Sequence, residues 1–360
     1  MAMNKYTFGK GSSSFFKDLK EKVDNYFTHN SLHPAGDRRL LVKGAIQLSI
    51  AIILYVVLVF FTPPAAVAIF LCAILGINLA IIGFNVMHEG GHNTFARHEW
   101  INKASAYSLN VLGGISYYWK IKHNVNHHTY TNIEGIDSDI DVRPFMRLHH
   151  GQPWRWFHRF QHIYWVFLYS LSYLAWIFYE DFEKYFRGRI TPAGERTKMP
   201  IREHVIFWLT KLTYVTLYMI LPIFLVGFVP WLIGFLTITL VCGLATSLVF
   251  QLAHVVEGTQ FHSVDDELGS KHEWAIHQVV STANFGTQSR FLHWLLGGLN
   301  FQVEHHLFPR ISHVHYPAIN RYVREVCREY NISYNEYSSM LKAMASHIVH
   351  LRKLGQMQIQ

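Results

Sequence analysis

Three short clusters of histidine are the residues of this sequence whose type and spacing most clearly indicate chemistry. The first cluster is His88–His92 (HEGGH), the second is His123–His128 (HNVNHH), and the third is Gln302–His306 (QVEHH). The chain holds 24 histidines, as many as its aspartates and glutamates together. Because residues i and i+4 share one face of a helix, paired histidines of this kind can bind one metal ion.

The clusters, together with one isolated histidine, supply the predicted ligands of a two-metal site. His254 is included because it ends a long apolar stretch on the side where the clusters lie. Eight imidazoles are more than one metal ion needs, and a ligand set without thiolates suits Zn, Cu, Fe or Ni. The predicted ligands are His88, His92, His123, His127, His128, His254, His305 and His306.

The other histidines have no such spacing. We predict a surface or interfacial position for fourteen of them and leave His262 and His293 open. The fourteen include His98, His149, His150, His158, His272, His313, His347 and His350. The three cysteines, Cys72, Cys242 and Cys327, are far apart and form no CxxC, so neither disulfides nor thiolate ligands are expected.

Two other motifs compete with this interpretation. His88-Glu89-x-x-His92 matches the HExxH motif of zinc proteases, so an intramembrane zinc protease is an alternative, as is a histidine-rich metal transporter. The aspartates at 137, 139 and 141 begin like a calcium-binding loop. That loop would need glycine where Val142 stands and glutamate where Leu148 stands, so calcium is excluded. We expect these aspartates to orient ligand histidines instead.

The composition indicates a membrane protein. Half of the chain is hydrophobic and 16% is charged, against about 25% in soluble domains. The residues from Gly44 to Met87 carry no charge, which predicts a helical hairpin over about 45–86 with its turn at Thr62-Pro63-Pro64. A second hairpin is predicted over about 205–253, with its turn at Gly227–Pro230, where Pro230 marks it. Its one charge, Lys211, is expected to reach the interface.

The remaining segments are predicted to lie at the interface or beside it. The stretch 154–182 mixes aromatic residues with Arg and His, which is typical of an interfacial helix. The segment 317–354 is predicted to form a cytoplasmic cap. We therefore predict one domain over 1–360: an all-α integral membrane protein with four transmembrane helices in two hairpins, interfacial helices and a cytoplasmic, histidine-rich di-metal cap.

Charge predicts the orientation of the hairpins. Almost every Lys and Arg lies outside them, and the positive-inside rule then puts the histidine clusters in the cytoplasm. This accounts for the net charge of +8 without a nucleic-acid partner. A basic patch for lipid phosphate or coenzyme A is the alternative explanation, with four candidate residues. These are Arg143, Arg147, Arg187 and Arg189.

In their order and placement around two hairpins, the three clusters resemble the histidine boxes of the membrane fatty acid desaturases. The resemblance extends from about His33 to Tyr337, and its most specific parts are His127–Asp141 and Gly297–Pro309. Glutamine at position 302, where a first box histidine would stand, resembles the front-end (linoleoyl, delta-6-like) branch, which adds a double bond between an existing one and the carboxyl end. Sphingolipid desaturases and di-iron lipid hydroxylases remain alternatives.

The resemblance implies a di-iron centre held by the eight histidines, with Gln302 near the metals as a ligand or through water. It implies O2 as co-substrate, a fatty acyl substrate (acyl-CoA or acyl-lipid), and an external electron donor such as ferredoxin or cytochrome b5. His33-Pro34-Ala35-Gly36 only faintly resembles the haem motif of a fused cytochrome b5 domain, so a separate donor is expected. A bacterial inner membrane fits this reading. Trp119, Tyr164 and Trp165 are expected to be either walls of the acyl tunnel or membrane anchors.

Overall fold

Four long apolar helices dominate the computed structural model, which describes residues 6–9, 14–190, 196–263 and 273–356. Within those residues, these four helices are long and apolar enough to cross a membrane, which confirms the predicted all-α membrane architecture. We call them the first to fourth spans: Arg38–Phe60, Ala65–Gly91, Ile201–Val226 and Phe228–His254. Their outward faces carry exposed apolar side chains such as Ile52 and Phe224, which suits contact with lipid.

The turns of the two hairpins are short. Thr62 adopts φ 41° between the first and second spans, directly before Pro63 and Pro64. The second turn falls at Gly227, whose φ of 88° favours glycine, at the start of the predicted turn Gly227–Pro230. Pro230 itself lies in the first turn of the fourth span, where a missing backbone N–H breaks no helical hydrogen bond.

Lys211 does not reach the interface, in contrast to the prediction. Its side chain is buried, and its ammonium donates hydrogen bonds of 2.7 Å to the carbonyl oxygens of Gly113 and Ile177. It also pairs with the buried carboxylate of Asp181 at 2.8 Å. A buried ammonium stays charged when it gains an anion and several acceptors. These contacts tie the third span to Gly113, before the second cluster, and to the helix that begins at Asp181.

The stretch predicted as an interfacial helix is helical over nearly its whole length. A short 3-10 turn, Trp156–Phe160, leads into the α-helix Gln161–Ala175, the π-helix Trp176–Glu180 and the α-helix Asp181–Arg187. The α-helix Gln161–Ala175 packs along the fourth span, and the outer face keeps exposed aromatic rings such as Phe167. Its depth in the bilayer stays a prediction.

Shorter helices close the end of the bundle where the clusters lie. They bury an apolar core in which the helices Phe15–His29 and Tyr316–Glu329 pack together. The predicted cap at 317–354 consists of two helices separated by a two-residue strand, Glu336–Tyr337, which pairs in parallel with Asn284–Phe285. The helices at this end are Phe15–His29, Glu99–Ala106, Ser108–Val111, Ser116–Lys120, Trp274–Ser281, Arg290–Leu295, Gln302–Leu307, Tyr316–Glu329 and Met340–Gln356.

Candidate metal centre

The first cluster lies at the end of the second span. A π-helical turn, Gly83–Met87, precedes His88, and π-helical turns are frequent at functional sites. The buried rings of His88 and His92 lie 4.7 Å apart, centroid to centroid. Gly91 lets the ring of Trp119 approach closely, since a Cβ built there would lie 2.2 Å from that ring. Trp119 in turn stacks on His123 at 4.5 Å.

The second cluster lies on a helix that changes type. The α-helix Ser116–Lys120 continues as the π-helix Ile121–His127, and we call the two together the second-cluster helix. In a π-helix the backbone pairs residue i with i+5, and the N–H of His128 donates to the carbonyl of His123. His128 is therefore brought to His123, with 3.2 Å between their Nε2 atoms. The ring of His127 contacts those of His254 and His306, with centroids 4.7 and 4.8 Å away. Nitrogens of His123 and His127 also lie within 4.8 Å of one another and of an Asp139 oxygen.

The third cluster lies on the short helix Gln302–Leu307, which is completely buried. Glu304 anchors this helix on the side away from the histidines. Its carboxylate accepts hydrogen bonds from Asn284 at 2.7 Å, Asn320 at 3.2 Å and the Tyr334 hydroxyl at 3.1 Å. Burial raises the pKa of Glu304 to about 7, against the opposing effect of these hydrogen bonds.

The clusters converge on two neighbouring groups of ring nitrogens. The four-histidine group is His88, His92, His123 and His305, and the three-histidine group is His127, His254 and His306. Within each group, one nitrogen of every ring lies within 4.8 Å of the others. His128 lies between the groups, its ring centroid 4.5 Å from those of both His305 and His306. All eight predicted ligands are thus brought together.

Hydrogen bonds hold the outward Nδ1 atoms of three of these histidines. Nδ1 of His127 lies 3.0 Å from the Asp137 carboxylate, and that of His305 lies 3.1 Å from the Tyr316 hydroxyl. Nδ1 of His306 lies 2.9 Å from the Gln278 amide oxygen. This leaves each Nε2 free to bind a metal, which is the usual arrangement around ligand histidines.

The donor atoms fit metal ions. The Nε2 atoms of His92, His127 and His305 are buried and have no hydrogen-bond partner among the described residues. Buried polar atoms without partners are costly, and a bound cation would satisfy them. Burial, reinforced by neighbouring histidines, holds the pKa of His123, His128, His305 and His306 well below the usual value. These rings are therefore neutral, as metal ligation requires.

His127 is the exception in its charge state. Burial lowers the pKa of His127, but the charge and hydrogen bond of Asp137 outweigh this and raise it overall. Asp139 contributes from 3.7 Å while pairing with Lys122, whereas Asp141 pairs with Arg143. Of the three aspartates expected to orient ligand histidines, Asp137 therefore makes a direct contact and Asp141 makes none.

Gln302 lies beside the three-histidine group, where it was expected. Its amide nitrogen is 3.0 Å from Nε2 of His254 and 3.3 Å from Nε2 of His306. Rotation of the amide by half a turn would present its oxygen to the same space. The side chain is therefore placed to complete this group as a weak fourth donor or through a water molecule.

The protease-like motif does not have the geometry of a protease. Glu89 is buried, and its hydrogen bonds are made outside the two histidine groups. Its carboxylate accepts hydrogen bonds from Ser312 Oγ at 2.8 Å and Thr94 Oγ1 at 2.9 Å, and lies 2.9 Å from Nδ1 of His313. A general base must reach a metal-bound water, and these contacts occupy Glu89 elsewhere.

Several histidines expected at the surface are buried, which corrects the prediction. His149, His158, His313 and His347 lie in the interior, while His98 and His150 are exposed and His350 is half-buried. Two ring nitrogens can be satisfied by interior acceptors: His347 contacts the carbonyl of Val255 and His158 that of Pro144. His272 lies outside the described residues.

Neither histidine that was left open belongs to the two groups. His262 packs against the ring of His277, and His293 against that of His313. Of the three aromatic residues with two expected roles, only Trp119 contacts the centre. Trp165 packs on His347, and the hydroxyl of Tyr164 donates to the carbonyl of Phe145.

The supporting residues Gln278, Tyr316 and Ser312 were not predicted, nor was Thr131, whose hydroxyl lies 3.0 Å from Nδ1 of His306. Gln278 and Tyr316 lie outside the clusters, and no spacing links them to a ligand. Glu304 lies inside the QVEHH cluster, and a carboxylate between predicted metal ligands was the signal that could have revealed its role.

Two adjacent groups of buried imidazoles at the end of a four-helix membrane bundle indicate a metal-binding membrane protein. Comparison with known families agrees with this class: residues 31–338 match the model of the fatty acid desaturase family. The chain belongs to this family, and it is an oxidoreductase.

Individual proteins similar to this chain are acyl-lipid desaturases. The chain is 33% identical over 358 residues to an sn-1 linoleoyl-lipid 6-desaturase of Arthrospira platensis, covering 98% of this chain and 95% of that protein. It is 32% identical to the protein of the same name in a Synechocystis strain, over 98% of this chain and 97% of the other. An acyl-lipid (8-3)-desaturase of Physcomitrium patens is 33% identical, over 96% of this chain and 72% of its own length.

Proposed function

We propose that this protein is an O2-dependent di-iron acyl-lipid desaturase of the front-end type. It removes two hydrogens from adjacent carbons of a membrane-bound acyl chain and leaves a cis double bond. Two electrons from a separate donor protein and two protons from water complete the reduction of O2 to two molecules of water. The relatives named for acyl-lipid desaturation and the glutamine at position 302 support this branch.

The observation that carries the proposal is the direction of the ligand atoms. Where Nδ1 is held by Asp137, Tyr316 or Gln278, the opposite nitrogen is aimed into one of the two groups. Iron bound there would supply the oxidising power that no acid–base side chain has against an unactivated C–H bond. An all-imidazole set suits iron, although it also suits zinc and copper.

The protein's own residues have three tasks in this proposal. The histidines fix the two metal positions, and the hydrogen-bonded partners behind them keep the rings in place without reorganisation. Trp119 covers the four-histidine group with an apolar ring and so excludes water from that side. The apolar spans admit an acyl chain from the bilayer, whose reacting carbons must then lie beside the metals.

We further propose that the metal centre faces the cytoplasm, as the distribution of Lys and Arg predicts. In a bacterium this would be the cytoplasmic side of the inner membrane. A soluble donor such as ferredoxin, or a cytochrome b5, could then deliver electrons to that side.

The test is expression in a host with defined lipids, followed by mass spectrometry of the acyl chains. The proposal expects a new cis double bond on the carboxyl side of an existing one, in lipid-bound chains. His98→Ala, which changes an exposed histidine away from the centre, should give the same product. A hydroxylated chain would indicate the hydroxylase instead, and unchanged lipids with an electron donor supplied would refute the proposal.

A further inference from the structure

A cavity of about 410 Å³ lies at the end of the bundle where the clusters are, outside the metal centre. Its volume is within the range of small-ligand sites. Its lining includes Tyr117 and Tyr118 of the second-cluster helix and Lys184 and Tyr185 of the helix Asp181–Arg187. Lys198 also lines it.

Unused hydrogen-bond donors line this cavity. Tyr118 is only 5% exposed, and among the described residues its hydroxyl has no hydrogen-bond partner. Lys184 is 9% exposed and directs its ammonium to Glu180 at 3.0 Å, which leaves further N–H donors for a ligand. Lys198 is exposed, and no carboxylate in the described ranges pairs with it. Such donors around one space favour an anion with several acceptor oxygens.

The location of the cavity points to a lipid. His204, which lies in the first turn of the third span, lines it, and Ile201 at the start of that span is 84% exposed. The first turn of a membrane-spanning helix lies near the lipid headgroups. Three of the four arginines first considered for phosphate already have partners: Arg147 is buried against backbone carbonyls, Arg143 pairs with Asp141, and Arg187 pairs with Glu183. The fourth, Arg189, is exposed and does not line the cavity.

The cavity is also close to the metal centre along the chain. Tyr118 precedes Trp119, which stacks on His123. At about 1.5 Å per residue, Tyr118 and His123 lie about 8 Å apart along the helix axis. A headgroup held this close leaves the carboxyl-proximal carbons of its acyl chain near the metals.

We propose that this cavity binds the phosphate of a glycerophospholipid headgroup and thereby positions the acyl chain for reaction. The proposal rests on the proposed acyl-lipid activity, and it assigns the polar end of the substrate to Tyr118, Lys184 and Lys198. Because the headgroup is held in place, its position fixes the distance from the carboxyl end at which the acyl chain is oxidised.

Binding to the purified full-length protein tests the site without turnover. The probes are dihexanoyl phosphatidylglycerol, dihexanoylglycerol, which lacks the phosphate, and inorganic phosphate. The phospholipid should bind best, and Tyr118→Phe, which removes only the hydroxyl, should weaken its binding about tenfold. Lys184→Met should weaken it at least as much. Tyr164→Phe and Lys20→Met, which lie outside the cavity, are the controls.

Two results would overturn the proposal. Equal binding of phosphatidylglycerol and dihexanoylglycerol, or no effect of Tyr118→Phe, would show that the cavity does not bind the phosphate group. Binding of inorganic phosphate as tight as that of the phospholipid would show an anion site without lipid preference. Because these measurements need no product, they fail separately from the desaturation test described above.

Discussion

The two groups of histidines are held in different ways. Polar partners support the three-histidine group: Asp137 contacts His127, and Gln278 contacts His306. Packing dominates in the four-histidine group, where Trp119 stacks on His123 and fills the space beside Gly91. The difference teaches that one metal position depends on hydrogen bonds and the other on shape, so the two should respond to different substitutions.

Removal of one ligand from each group should have the largest effect. We expect His305→Ala and His254→Ala each to abolish desaturation, because both metals are needed for one reaction, while the protein stays in the membrane. Acyl-chain analysis and membrane fractionation measure the two outcomes. Full turnover by either variant would refute the ligand role of that histidine.

Asp137→Asn should affect the three-histidine group selectively. The amide is neutral, so His127 loses the charge that orients it and raises its basicity. Loss of such a partner lowers metal affinity or activity by about 10- to 100-fold. Metal content after dialysis is the measurement, with Asp141→Asn as the control because Asp141 pairs with Arg143 instead. Equal losses of metal in Asp137→Asn and Asp141→Asn would show that the three-histidine group does not depend on the Asp137 hydrogen bond.

Gly91→Ala should perturb the four-histidine group through packing. The added methyl would lie 2.2 Å from the ring of Trp119, so the ring or the helix must shift. Such overpacking costs about 1–3 kcal/mol in stability, seen as a lower thermal unfolding midpoint. Gly83→Ala is the matched control on the same helix, because a methyl there meets no atom within 4 Å. Equal unfolding midpoints for the two variants would contradict this account.

Tyr316→Phe should have the smallest effect. It removes one neutral hydrogen bond to Nδ1 of His305 and keeps the ring. A bond of this kind contributes about 1 kcal/mol, so metal retention should fall only a few-fold. Metal release rates against a chelator would measure this. A loss as large as that of Asp137→Asn would show that hydrogen bonds govern both groups alike.

The sequence alone predicted the hairpins and the convergence of the eight histidines. In a bilayer, long uncharged runs can satisfy their backbone hydrogen bonds only as helices. Each hairpin returns the chain to the side from which it entered, so the clusters were expected on one side of the membrane. The sequence did not predict how the histidines divide between the two groups. His128 lies next to His123 because the helix becomes π-helical at Ile121, and no residue type in that segment indicates this change.

The main errors of the sequence analysis were polar residues that were predicted near solvent and are buried. Lys211 and His313 were expected near solvent because charged and polar side chains usually are. Each instead has a specific carboxylate, Asp181 for Lys211 and Glu89 for His313. Asp181 is 30 residues from Lys211 in the chain, and Glu89 is 224 residues from His313, so only the fold brings each pair together.

The metal content of the purified protein tests the central claim most directly. Elemental analysis of protein expressed with iron should give about two irons per chain and little zinc, as two groups of imidazole ligands imply. His254→Ala and His305→Ala should each lower that number toward about one. One zinc per chain without iron, or two irons retained in both variants, would contradict the account.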